Sequence, residues 1–168
     1  MTDLSVIGKD ETAQSSNYST IMLMVLKEIR LERGIHQGVL AQSAGKSASA
    51  WTKIENGQSP LSMDTMFAVC SSLQLLPSYV LTLTEKLISI FNYHGYYFQS
   101  GMVEESENEL LKLMLKYFNS KGYEYLKTRP YDRVSITTVG YPFGTNSDPT
   151  IVRYCYDQNF RNWIDNGC

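Results

Sequence analysis

Cysteine is scarce in this 168-residue chain, and Cys70, Cys155 and Cys168 are all it has. Three thiols so widely spaced cannot build a disulfide framework. No Cys-x-x-Cys or His-x-x-x-His spacing occurs, so no zinc site and no other metal or cofactor is expected. Long apolar runs are missing too: none approaches the roughly 18 residues that would suggest a membrane span, so no membrane partner is expected. The opening stretch "MTDLSVIGKDETAQSSN" has no basic segment followed by an apolar core. It does not read as a secretion signal, and a cytoplasmic location is the expectation. Catalytic signatures are lacking as well, with no G-x-S-x-G elbow and no P-loop. The two histidines, His36 and His94, fall near helix boundaries without obvious partners. No enzymatic activity is expected.

What the chain does have is an ordinary globular composition, 43% apolar and 19% charged, with a net charge of −2. The charge is unevenly distributed: residues 1–17 carry −2, residues 18–77 carry +1 and residues 78–168 carry −1. A whole-chain charge averages over surfaces that face different partners, so the weakly basic middle is the informative part.

Three regions follow from the patterning. Residues 1–17 are polar and aperiodic, which predicts a flexible N-terminal tail. From Tyr18 the apolar residues Ile21, Leu23, Met24, Leu26, Ile29 and Leu31 recur at helical spacing, and Gly34 stands where a C-terminal cap belongs. This predicts a first helix over about Asn17 to Arg33. Further short segments, broken by Gly45, Gly57, Pro60 and Pro77, predict five helices within a compact all-α unit spanning 18–94. Residues 95–168 change texture. Met102 to Ser120 reads as an amphipathic helix with acidic first turns, and Gly122 stands just past its last apolar residue. The segments "DRVSITTVGY" and "TIVRYCYD", rich in β-branched and aromatic residues around the turn-forming "PFGTNSDP", predict a β-hairpin. A short closing helix with Phe160, Trp163 and Ile164 on one side would end the chain. The expected fold is mainly α, with a small α+β C-terminal domain over 95–168.

Within "QGVLAQSAGKSASAWTKIENG" two short helices meet across a turn: Leu40 and Ala44 face inward, Ala41 is small, Gly45 lies in the connection, and Trp51 and Ile54 are the inward pair of the second helix. Over roughly residues 20–76 this pattern resembles the helix-turn-helix family of phage repressors and Cro proteins, the XRE family. The Q-x-x-x-A-x-x-x-G spacing is joined by W-x-K-I-E-N-G at the right distance and by an amphipathic helix after it. The resemblance implies a five-helix lambda-repressor-like domain that binds double-stranded DNA as a transcription regulator, associated with the nucleoid when bound; a repressor is expected rather than an activator, because occupying a promoter requires no extra contact.

The resemblance also implies roles for particular residues. Lys46, Ser47, Ala48, Ser49 and Lys53 match the positions that face the DNA bases. Ser47 would also cap the recognition helix, and Lys53 could donate to guanine N7 and O6 or contact a phosphate instead. Ala48 can only pack, which points to a thymine methyl and to DNA shape. Gln37 matches the position that holds a phosphate at the start of the first motif helix. Asn56, Gly57 and Ser59 match the loop where backbone amides meet phosphate, although Asn-Gly is equally a helix stop. Arg30 and Glu55 are implied to form a structural ion pair.

A single unit of this kind reads few base pairs, so two copies on a two-fold site about 34 Å apart are expected, a homodimer on a palindromic operator. The apolar excess in 78–98 and in Leu110 to Phe118 would serve intramolecular packing, a dimer axis, or both. Tyr123, Tyr125, Tyr131, Tyr141, Tyr154 and Tyr156 suit packing, an interface or a small-molecule effector pocket. Cys155, on a strand face shared with Arg153, leaves a redox sensor open. The alternative is an antitoxin-type regulator whose C-terminal half binds a protein partner.

Overall fold

In the computed structural model the described residues are 14–139 and 148–168. The elements, in chain order, are β1 (Gln14–Asn17), α1 (Tyr18–Glu32), α2 (Gln37–Ser43), α3 (Ala48–Glu55), α4 (Met63–Ser72), α5 (Pro77–Tyr93), β2 (Tyr96–Gln99), α6 (Glu109–Phe118), α7 (Lys121–Lys127), α8 (Thr150–Tyr156) and α9 (Gln158–Asp165). Short 3-10 turns occupy Glu105–Glu107, Pro130–Asp132 and Ile136–Thr138. The described residues are mainly helical with one small sheet.

Helix α1 begins where the sequence places it. Asn17 is its N-cap, and its side-chain oxygen accepts from the Thr20 amide at 2.9 Å. The helix buries Ile21, Met24, Val25 and Ile29, packs against α5 and also meets β1 and α6. Arg30 on its last turns is buried with Glu55 of α3: Nε donates to Oε1 at 2.6 Å and Nη2 to Oε2 at 3.2 Å, while Nη1 donates to the Ile35 carbonyl at 2.9 Å. The fork therefore fixes both the spacing and the rotation of α3 on α1. Farther along, the Arg33 guanidinium donates to the carbonyl of Leu73 at the end of α4.

The sheet is not the expected one. β1 and β2 pair in parallel, Gln14 opposite Tyr96 through Asn17 opposite Gln99, so the strands that bracket α1–α5 lie side by side. Residues 14–17 are thus a strand and not part of a tail, while residues 1–13 lie outside the described set. The Ser-rich "QSSN" has little strand propensity; tertiary contacts hold it. Ser16 is buried and its Oγ donates to Asn108 Oδ1 at 2.8 Å, and Asn108 Nδ2 donates to Thr20 Oγ1 at 2.9 Å.

The predicted hairpin is replaced by helix and turn. Residues 150–156 form α8, Ile136–Thr138 is a 3-10 turn, and the intervening loop and Tyr141 lie largely or wholly outside the described residues. Ile151, Val152, Tyr154 and Cys155 are all buried against α5, α6 and α9, a pairwise spacing that suits a helix in a crowded core and overrides β-branched preference. Cys155 consequently shares no strand face with Arg153. Burial pushes its thiol up to about 12, a site without the thiolate that redox sensing needs. The helix expected over 102–120 is shorter: the acidic stretch forms the 3-10 turn, Asn108 caps α6 by accepting from the Leu111 amide at 3.1 Å, and only Glu109 stands in the first turn. Gly122 lies inside α7, a helix that Ser120 caps and that the sequence reading missed. Of the closing helix, Ile164 is buried, whereas Trp163 is largely exposed.

One hydrophobic cluster runs through residues of both halves, from Ile21 and Trp51 to Tyr117, Tyr154 and Ile164. The apolar excess noted in α5 and α6 is spent mainly here, since Val80, Leu83, Leu87, Phe91, Leu110, Met114 and Tyr117 are all sealed inside. Tyr123 and Tyr154 pack edge-on or tilted around Tyr117, and Tyr96 Oη donates to the Cys155 carbonyl at 3.0 Å. Tyr125 and Tyr131 point outward.

An acid sits inside this cluster. Both carboxyl oxygens of Glu28 are buried without a hydrogen-bond partner among the described residues. Burial, reinforced by Glu32 one turn on, raises its pKa to about 8, against the opposing pull of Arg133 and Lys27. Glu32 itself is anchored, accepting from Ser135 Oγ at 2.7 Å. Because the folded pKa lies above the ordinary 4.5, the folded state binds the extra proton, and the stability this supplies is whole at low pH and lost as pH rises from 4.5 through about 8. Urea titrations of the protein and of Glu28→Gln across that range are expected to show a falling stability in the first and a flatter one in the second. Arg30→Ala, which strands a buried Glu55, is expected to cost about 3–5 kcal/mol in the same assay.

Candidate nucleic-acid interface

Helices α2 and α3 are short because each has a built start and a built stop. His36 caps α2, its Nδ1 accepting from the Gly38 amide at 3.0 Å, so one of the two histidines has a structural task that spacing alone did not disclose. The other, His94, stacks on Tyr156 with ring centroids 3.6 Å apart. Gly45 adopts a φ of +64° in the turn between α2 and α3, a conformation that side chains with a Cβ resist. Leu40 and Ala41 are the buried residues of α2, and Ala44 is a half-buried C-cap, not an inward anchor. Ser47 opens α3, its Oγ accepting from the Ala50 amide at 3.2 Å.

Helix α3 divides sharply by face. Trp51, Ile54 and Glu55 are buried, Trp51 being 1% exposed. Lys46, Ser47, Ala48, Ser49 and Lys53 are all exposed: Lys46 and Ser47 precede the helix, Ala48 is its first residue, and Ser49 and Lys53 lie on the face turned away from Trp51 and Ile54. Ser47 Oγ and Ser49 Oγ are 3.3 Å apart, and Thr52 Oγ1 folds back on the Ala48 carbonyl at 2.9 Å. The outer surface is therefore small and hydroxyl-bearing, with a lysine on the approach and another in the last turn, a shape and charge suited to the floor and walls of a DNA groove.

The residues matched to phosphate sort differently. Gln37 is half-buried at the first position of α2. The amides of Asn56, Gly57 and Ser59 already donate to the carbonyls of Thr52, Ile54 and Lys53 at 3.0, 3.0 and 3.2 Å. They complete a helix C-terminus. Gly57 is left-handed, φ +74°, and a Cβ there would meet the Leu111 methyls of α6 at 2.8 Å. Of its two sequence readings, the helix stop describes the geometry, with close packing added.

Residues from the second half close in on this region. Lys27, Arg30, Gln37, Thr52, Glu55 and Asn56 share a cleft of about 390 Å³ with Phe118 of α6, its C-cap Asn119, and Tyr123, Glu124 and Lys127 of α7. Lys27 Nζ lies 4.3 Å from the centre of the Phe118 ring and donates to Asn56 Oδ1 at 3.5 Å. Burial lowers its pKa, with Glu55 pulling the other way and Arg30 adding to the fall. Sequence reasoning did not single out Lys27, because only the fold brings α6 across the helix that carries it.

The family model described as "Helix-turn-helix" matches residues 26–80, the stretch from the middle of α1 into the start of α5. No curated protein and no solved structure matches the chain. The capped and buried architecture of α2 and α3 and the matched segment agree on one conclusion: residues 26–80 are a helix-turn-helix of the XRE type, the kind of domain that DNA-binding transcription regulators carry.

Proposed function

We propose that the protein is a sequence-specific repressor that acts as a homodimer on a palindromic operator, with α3 lying in the major groove of each half-site. The observation that carries this is the division of α3: all its large apolar surface and its one carboxylate are turned inward, while Lys46, Ser47, Ala48, Ser49 and Lys53 are left exposed at its start and along its outer face. In this reading Lys53 and the serine hydroxyls bond to base edges, Ala48 packs on a thymine methyl, and Gln37, Asn56 and Ser59 hold the backbone in register. Blocking a promoter needs no contact beyond occupancy, which favours repression. The protein is then a non-catalytic regulator working in the cytoplasm on nucleoid DNA.

Dimerisation is supported by the short reach of one α3 and by apolar side chains that the core leaves outside, among them Leu76, Tyr93 and Tyr97, with Tyr93 87% exposed. Two copies are expected to sediment at twice the 19.1 kDa chain mass and to protect two half-sites about 34 Å apart in a footprint. A monomer with a single protected patch would defeat the palindrome.

Selection of bound sequences from a randomised DNA library tests the base-reading set. Lys53→Ala is expected to relax preference at one base position per half-site by about 1–3 kcal/mol with the salt dependence unchanged. Uniform weakening with a shallower salt slope would move Lys53 to the phosphate-contacting group.

A further inference from the structure

The cleft between the helix-turn-helix and α6–α7 holds a cation without a counter-ion. Among the described residues Lys27 has no carboxylate within ion-pair distance, and its contacts are the Phe118 ring face and the Asn56 amide oxygen. The acids of the cleft are spoken for: Glu55 is bound bidentately by Arg30, and Glu124 pairs with Lys127 at 3.0 Å. Three cations against two engaged acids leave the lining net positive. Around Lys27 stand neutral amides from both halves of the chain, Gln37 on one side and Asn119 on the other, the latter with one of its two N–H groups given to the Leu115 carbonyl at 2.9 Å. An ammonium kept partly out of water in a polar cleft is an anion site in waiting, because an oxyanion restores what burial removes. Tetrahedral oxygens suit amide and ammonium donors that converge from two walls.

We propose that this cleft binds a phosphate group, gripped on one wall by Lys27 and Gln37 and on the other by Asn119. The C-terminal half thereby becomes part of a ligand site and not only a support. Two sources share the chemistry, the DNA backbone and a free phosphorylated small molecule. Only the first rests on the DNA-binding mode proposed above.

The test follows the Lys27 side-chain amine by NMR in the full-length protein, first without DNA. Inorganic phosphate, at ionic strength matched with chloride, is expected to shift the Lys27 signals saturably and to raise the pH at which they titrate. Lys27→Met, which keeps the packing on Phe118, is expected to abolish saturable phosphate binding measured by calorimetry, whereas Lys53→Ala leaves it intact. A response to phosphate no different from that to chloride, with no change on adding DNA, overturns the proposal. Adding operator DNA separates the sources. If DNA moves Lys27 and phosphate competes with it, the backbone is the ligand, and Lys27→Met is expected to make the salt slope shallower by about 0.9. If DNA binds without touching Lys27 while phosphate still saturates, a free phosphorylated molecule is the ligand. Saturation by phosphate in a protein that binds no DNA would retain the cleft while removing the repressor reading.

Discussion

The ion pair between Arg30 and Glu55 is the constraint on which the rest of the molecule depends. Both groups are nearly sealed from water, so neither can be left alone, and the planar fork admits one arrangement of the two helices. With α3 pinned through its last inward residue, Trp51 and Ile54 seat against the core, and the other face is left with nothing large or apolar to hide. The third donation of the same guanidinium, to the Ile35 carbonyl, holds the connection into α2 as well. One side chain thus sets the position of both motif helices.

Helix α1 serves two sets of neighbours at once. Toward the motif it offers Arg30; toward the second half it offers Lys27, Glu28 and Glu32, which meet Phe118, the tyrosines of α6 and α7, and Ser135. A helix so engaged cannot shift toward one set without disturbing the other. The raised pKa of Glu28 is the visible sign of that compromise: an acid is accepted inside because the helix that carries it is needed on every side.

Much of the motif was legible in the sequence. The helical spacing from Tyr18, the cap at Ser47, and the inward Trp51 and Ile54 follow from local rules, and the structure realises them. The second half was far less legible, and the reasons are physical. Thr150 to Tyr156 carries strand-favouring residues, yet its partners are helices, and burial of Ile151, Val152, Tyr154 and Cys155 decided the outcome. Gln14 to Asn17 has no strand signature at all, since its pairing depends on a segment far along the chain. Of the candidate site, the exposed face of α3 could be inferred from spacing. Lys27 could not, because its environment is made by a helix some ninety residues away in sequence, and neither could the His36 cap, which competes with the more usual Ser, Thr, Asp and Asn.

The parallel pairing of β1 with β2 has a kinetic side. Its partners are separated by roughly eighty residues, so their register forms only after the chain between has already condensed, when the entropy of closing that loop has fallen. Four residues on each side give the ladder little strength of its own. On that argument the pairing is a late clasp, closing over helices already in place, and its amides are the ones whose exchange would report how often the two ends part.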